Sequence, residues 1–201
     1  MRLAISDPPY LGRADRWYGD GRGPGRASTT APGTGRNGRK PDRHPDAAYW
    51  DNLEAHVGLI LNLEDQFDGW AMAAHADRVH ELMASAPARA RMCVWVRPNA
   101  MPGGGRIVNR WEPVIIRVPD SRIGRGSGVS VSDVLVEPVR RTGFLGSKPP
   151  AWTRWVLTLL GARPGDTIVD LFPGSGAVER EIAHYLAQEA ATLDVDGRGA
   201  A

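Results

Sequence analysis

The chain has 201 residues, 42% of them hydrophobic and 24% charged, the balance of a single soluble globular domain with a sizeable core. No run of 18 apolar residues is present to span a bilayer, the N-terminus has no basic-then-apolar leader, and one cysteine, Cys93, cannot make an internal disulfide. The formal charge of +2 is uneven, because residues 19–45 alone hold six basic and two acidic side chains. The expectation is a cytoplasmic protein with no membrane role. The five histidines show no metal-ligand spacing, so no metal is expected.

In chain order, residues 2–6 form a short apolar strand stopped by Pro8 and Pro9. Residues 19–45 are rich in Gly, Pro, Ser and Thr and lack apolar periodicity, which predicts a mobile loop. It reads either as a neutral linker or as a basic flap in which Arg22, Arg26, Arg36, Arg39, Lys40 and Arg43 meet phosphates. Leu53, Val57, Ile60 and Leu61 predict the inner face of a helix over 47–64, with Asp46 as its cap. A strand over 69–75 and a helix over 76–86 follow, then strands over 91–98 and 112–119. Residues 120–142 are polar and irregular. A helix over 149–160 shows Trp152, Trp155, Val156, Leu159 and Leu160 on one side. A strand over 166–172 runs into a glycine turn and a helix over 177–189, and the tail from 194 is expected to fray. Trp50, Trp70, Trp95, Trp152 and Trp155 read as core side chains.

Strands alternating with helices imply an α/β fold with a mostly parallel sheet, which binds ligands beyond the C-terminal ends of its strands. Two of those ends carry unusual chemistry, "SDPPY" at 6–10 and "DLFPGSG" at 170–176. The prolines fix the backbone after Asp7. A carboxylate oxygen beside a backbone carbonyl makes two acceptors, the complement of an exocyclic –NH₂ group, and Tyr10 supplies an aromatic face. The lone pair of such an amine is delocalised into its ring. Acceptors on both hydrogens draw density toward nitrogen and favour a pyramidal amine able to attack a methyl group. A simple turn is the plain alternative. In the second motif, Gly174 and Gly176 permit close backbone approach, the helix start offers free N–H groups, and Asp170 favours a cationic ligand. The pattern is neither a P-loop nor G-x-G-x-x-G, and any strand-to-helix link can use glycines.

The two motifs in this order resemble the beta group of S-adenosylmethionine-dependent DNA amino-methyltransferases, in which the catalytic motif precedes the cofactor motif. "GSKPPAWTRWVLTLLGARPGD" (146–166), "VWVRPN" (94–99) and "RWEPVII" (110–116) resemble segments of the same group. The resemblance implies a circularly permuted, Rossmann-like methyltransferase domain over 1–201, lacking the two strands the group carries after the cofactor helix. It implies that Asp7, Pro8 and Tyr10 hold a flipped-out DNA base, with Pro9 setting the corner. It implies that Asp170, Phe172, Gly174, Ser175 and Gly176 line the S-adenosyl-L-methionine site and that Ser147, Lys148 and Pro149 cover its methionine end; a surface charge is the plain alternative for Lys148. Residues 120–142 are then a minimal target-recognition segment. The resemblance implies, from Asp at position 7, adenine N6 in preference to cytosine N4, with RNA or a protein amide as other substrates. A degenerate protein that binds DNA or a partner without catalysis is the rival. A homodimer or partner subunit is compatible with a recognition segment this short.

Overall fold

Alternation within the first strand sets the plan of the molecule. In β1 (Arg2–Ser6), Leu3 and Ile5 pack on one side of the sheet and Ala4 on the other, all fully buried, because successive strand side chains point to opposite faces. The computed structural model describes residues 1–13, 46–101, 105–124, 130–139 and 147–198. The basic stretch 19–45, with all six cationic residues expected to meet phosphates, lies outside the described residues.

Among the described residues five further strands join β1: β2 (Gly69–Ala73), β3 (Arg91–Val96), β4 (Trp111–Arg117), β5 (Val134–Val136) and β6 (Thr167–Asp170). Their order is β5-β3-β4-β2-β1-β6. β1 runs parallel to β2 and to β6, and β3 runs parallel to β5, while β4 is antiparallel to both β2 and β3. The sheet is therefore mostly parallel, as the alternation of elements implies. Reversal of β4 has one consequence for function: its N-terminal end lies at the same edge as the C-terminal ends of β1, β2, β3 and β6.

Among the described residues there are five helices, and four of them cover the two faces. α1 (Ala47–Trp50), α2 (Leu53–Gln66) and α3 (Val79–Ser85) precede β3; α4 (Pro150–Leu160) and α5 (Ala177–Arg198) flank β6 in sequence. On one face Trp152, Val156 and Leu160 of α4 and Ile182 of α5 pack with Leu3, Ile5, Ala71, Val114 and Ile116. On the other, Ile60 and Leu63 of α2 and Val79 and Leu82 of α3 pack with Ala4, Trp70, Met72 and Ile115. Each fully buried large side chain contributes roughly 1.5–3 kcal/mol. Gly69 is required where β2 begins, because a Cβ there would lie 2.6 Å from Pro119 Cδ and 2.9 Å from the Arg117 carbonyl oxygen.

Four local expectations change. The helix over 47–64 is two helices, broken at Asp51 and Asn52, and its inner face is Ala55, His56, Ile60 and Leu63, whereas Leu61 is exposed. The helix over 76–86 opens as a 3₁₀ turn, Ala76–Arg78. Residues 120–142 contain a strand, β5, pinned to the body by Trp95 Nε1 donating to the Glu137 carbonyl and Trp155 Nε1 donating to the Ser132 carbonyl, both at 2.8 Å. The final helix runs to Arg198, beyond the expected end at 189.

At the sheet edge where β1 and β6 begin, Arg122 grips Asp166 with two hydrogen bonds of 2.6 and 2.8 Å, and the Met1 amine adds a third at 3.0 Å. Burial pushes the Asp166 carboxyl up, but these donors and the Arg163 N–H outweigh it and hold its pKa at about 2.

Candidate functional site

Asp7 emerges from the C-terminal end of β1 and is followed by buried Pro8, Pro9 and Tyr10. Lys148, which precedes α4, reaches it from 141 residues away: its Nζ donates to both Asp7 carboxylate oxygens, each at 2.8 Å. The same ammonium donates to the Tyr10 hydroxyl oxygen at 2.8 Å and lies 3.4 Å from Glu112 Oε2. The Tyr10 O–H donates to Glu112 Oε2 at 3.0 Å, and Arg97 Nη1 donates to Glu112 Oε1 at 2.9 Å. Arg97, Glu112, Lys148 and Asp7 thus form a chain of alternating charge. Three strands and the segment before α4 supply it: β1 leads into Asp7, β3 into Arg97, β4 opens with Trp111 and Glu112, and Lys148 precedes α4.

This arrangement sets the local electrostatics. Burial pulls the Lys148 ammonium down, but the Asp7 and Glu112 carboxylates outweigh it and its pKa is raised. At Asp7 burial is the largest influence and pushes the carboxyl up; Lys148 opposes that, Glu112 adds to it, and the result is raised. Removing one partner from such a buried group leaves a charge without compensation and costs about 3–5 kcal/mol. Tyr10 is 4% exposed, so the ring offered by the sequence as a stacking face is covered in this state. The His75 ring lies beside it, centroids 6.1 Å apart.

The glycine turn stands next to this chain because β6 pairs with β1, Asp170 lying opposite Ile5. The Phe172 N–H donates to Asp170 Oδ1 at 3.2 Å. The other oxygen, Oδ2, is buried with no hydrogen-bond partner among the described residues. Burial pushes the Asp170 carboxyl up to about 6; the Phe172 N–H lowers it, and the Asp7 and Glu179 charges add to the rise. The turn itself needs glycine, with φ of 45° at Gly174 and 69° at Gly176. Ser175 Oγ accepts from the Ala177 N–H at 3.4 Å at the start of α5 and lies 3.4 Å from Ser147 Oγ.

Two contacts tie the turn and the proline corner to the end of α1 and the residue after it. Trp50 of α1 packs edge-on against Phe172, centroids 5.1 Å apart. Asp51 Oδ1 accepts the Gly12 N–H at 2.6 Å. The structure therefore brings together Asp7, Tyr10, Lys148, Ser147, Asp170, Phe172, Ser175 and their neighbours, with Lys148 on Asp7. Glu112, Arg97, Trp50 and Asp51 are additions that the motifs did not reveal. Glu112 had a signal: it is a lone acid at the head of the apolar strand "EPVII". Among the described residues no group of three His, Cys, Asp or Glu side chains is placed to hold a metal, and no helix is long and apolar enough to cross a membrane.

No family model and no curated protein matches the chain. Among solved structures it is similar to the crystal structure of M1.HpyAVI in complex with SAM, with 14% sequence identity and a TM-score of 0.51 over 92% of this chain and 77% of that one. This likeness is one of fold: the chain shares a Rossmann-like α/β architecture with that structure.

Proposed function

We propose that the chain transfers a methyl group from S-adenosylmethionine to the exocyclic amine of a flipped-out DNA base, adenine N6 in preference to cytosine N4. One observation carries this reading: parallel pairing of β1 and β6 sets the Asp7 corner beside the Asp170 glycine turn. The fold shared with M1.HpyAVI, solved with SAM, supports the cofactor. The residues present fit it. The unpartnered Asp170 Oδ2 is a buried acceptor for its methionine ammonium, and Gly174, Ser175 and Gly176 form a tight turn at a helix start. When bound, the cofactor supplies an electrophilic methyl group.

The chain's own residues do the rest. Asp7 accepts one N–H of the amine and the Pro8 carbonyl the other, drawing density onto nitrogen. Holding the amine nitrogen in place would supply much of the barrier reduction to methyl transfer, in which the cofactor would leave as the neutral thioether. The ionised Asp7 then accepts the proton released after attack. Arg22, Arg26, Arg36, Arg39, Lys40 and Arg43 grip DNA phosphates, and residues 120–142 contribute target recognition. Labelled methyl transfer to duplex DNA, RNA and protein tests the reading; label in DNA that disappears with Asp7→Ala supports it.

A non-catalytic relative that binds DNA or a partner is favoured by one observation: Lys148 already holds both Asp7 oxygens. That reading predicts no cofactor binding by calorimetry and no loss with Asp7→Ala.

A further inference from the structure

We propose that Glu112 is a positioning residue that takes over the Lys148 ammonium when a substrate amine claims Asp7. The inference rests on the amine-methylation reading above and adds to it the group that vacates Asp7.

A lysine ammonium has three N–H donors. Here two go to the Asp7 oxygens and one to the Tyr10 oxygen. An incoming –NH₂ group needs an Asp7 oxygen for one of its hydrogens; each oxygen can accept a second hydrogen bond, but the ammonium bound to both at 2.8 Å draws the carboxylate charge to itself. The resident cation and the substrate amine therefore draw on the same carboxylate.

Glu112 offers the cation another seat. Its Oε2 is already 3.4 Å from Lys148 Nζ, and closing that gap to ordinary hydrogen-bond length takes a shift of about half an ångström. Tyr10 bridges the two carboxylate sites, receiving from Lys148 and donating to Glu112. Glu112 cannot follow the ammonium toward Asp7, because Arg97 holds Oε1 at 2.9 Å and is itself anchored on the Asn109 and Trp111 carbonyls, each at 3.3 Å. The exchange protonates nothing: Lys148 stays an ammonium, Asp7 and Glu112 stay carboxylates, and one hydrogen-bond partner replaces another. A simple structural ion pair between Asp7 and Lys148 has no need of a second, fixed carboxylate.

The test is a double-mutant cycle on the full chain: wild type, Glu112→Gln, Lys148→Met and the double variant. Each is assayed for kcat and KM with duplex DNA and for SAM affinity by calorimetry. Glutamine keeps the shape and an acceptor for Tyr10 but removes the charge that receives the ammonium. Glu112→Gln should lose at least fivefold in kcat/KM for DNA, with SAM affinity within twofold of wild type. The double variant should match Lys148→Met within threefold, because Glu112 has no task once the cation is gone; a merely structural carboxylate gives a further loss instead. If Glu112→Gln alone does not fold, the double variant, which keeps the charge count balanced, is compared with Lys148→Met and decides. An active wild type with less than a fivefold loss in Glu112→Gln, or a double variant more than threefold below Lys148→Met, overturns the inference and leaves the function standing. A wild type that methylates neither DNA, RNA nor protein overturns both.

Discussion

Lys148 binds Asp7 through both carboxylate oxygens at 2.8 Å, joining the segment before α4 to the end of β1 across 141 residues. Lys148 is buried, with 3% of its side chain exposed, so the pair is costly to break on one side only. Lys148→Met should lower unfolding free energy in urea by about 3 kcal/mol. Adding Asp7→Asn, which removes the stranded charge, should restore most of it. A double variant no more stable than Lys148→Met contradicts the ion-pair account.

On the proposed function, Asp170 should link pH to SAM binding. Its carboxyl is pushed up to about 6, by burial first, so it is ionised above that pH and neutral below it. A cationic amine prefers the ionised form. SAM affinity measured by calorimetry should therefore fall as pH drops through about 6, and binding below that pH should release a proton. Asp170→Asn should abolish the pH dependence and weaken binding.

The same shift has the opposite sign for stability. A carboxyl raised in the folded state favours folding at low pH, and that contribution is lost as pH rises through about 6. Asp170→Asn should consequently raise unfolding free energy at pH 8 by about 2 kcal/mol while binding SAM more weakly. Equal stability of the two proteins at pH 8 contradicts the burial argument.

Much of this arrangement was legible in the sequence, for reasons particular residues show. Leu3, Ile5 and the double proline mark β1 and its end, and the run from Thr167 to Gly176 marks a strand, a turn and a helix start. β5 was not legible: "VLV" is three residues long, and its place depends on hydrogen bonds from Trp95 and Trp155, far away in sequence. The break after Trp50 was hidden because apolar residues continue at helical spacing. The partner of Lys148 was hidden for a different reason. A lysine before a proline pair looks like a surface charge, and only tertiary structure brings two carboxylates to it.

Asp166 anchors the edge opposite the site. Its pKa of about 2, against 3.8 for the free side chain, stabilises the fold above pH 4, and that stabilisation is lost as pH falls through about 2. Asp166→Asn should cost about 2 kcal/mol at neutral pH and flatten stability between pH 4 and 2. Activity per folded molecule should not change, and acid unfolding followed by circular dichroism checks the stability claim.

The six basic side chains of 19–45 should show in the salt dependence of DNA binding. Removal of residues 20–43 should reduce the slope of log affinity against log salt by up to about 5. Filter binding at 50–200 mM salt measures it, and an unchanged slope sinks the flap.

The most direct measurement is base analysis by mass spectrometry after incubating duplex DNA with isotopically labelled SAM and either wild type or Asp7→Ala. The account predicts label in N6-methyladenine with wild type and none with Asp7→Ala, while both proteins bind SAM equally. Label absent from DNA with wild type, or present to the same extent with Asp7→Ala, contradicts it.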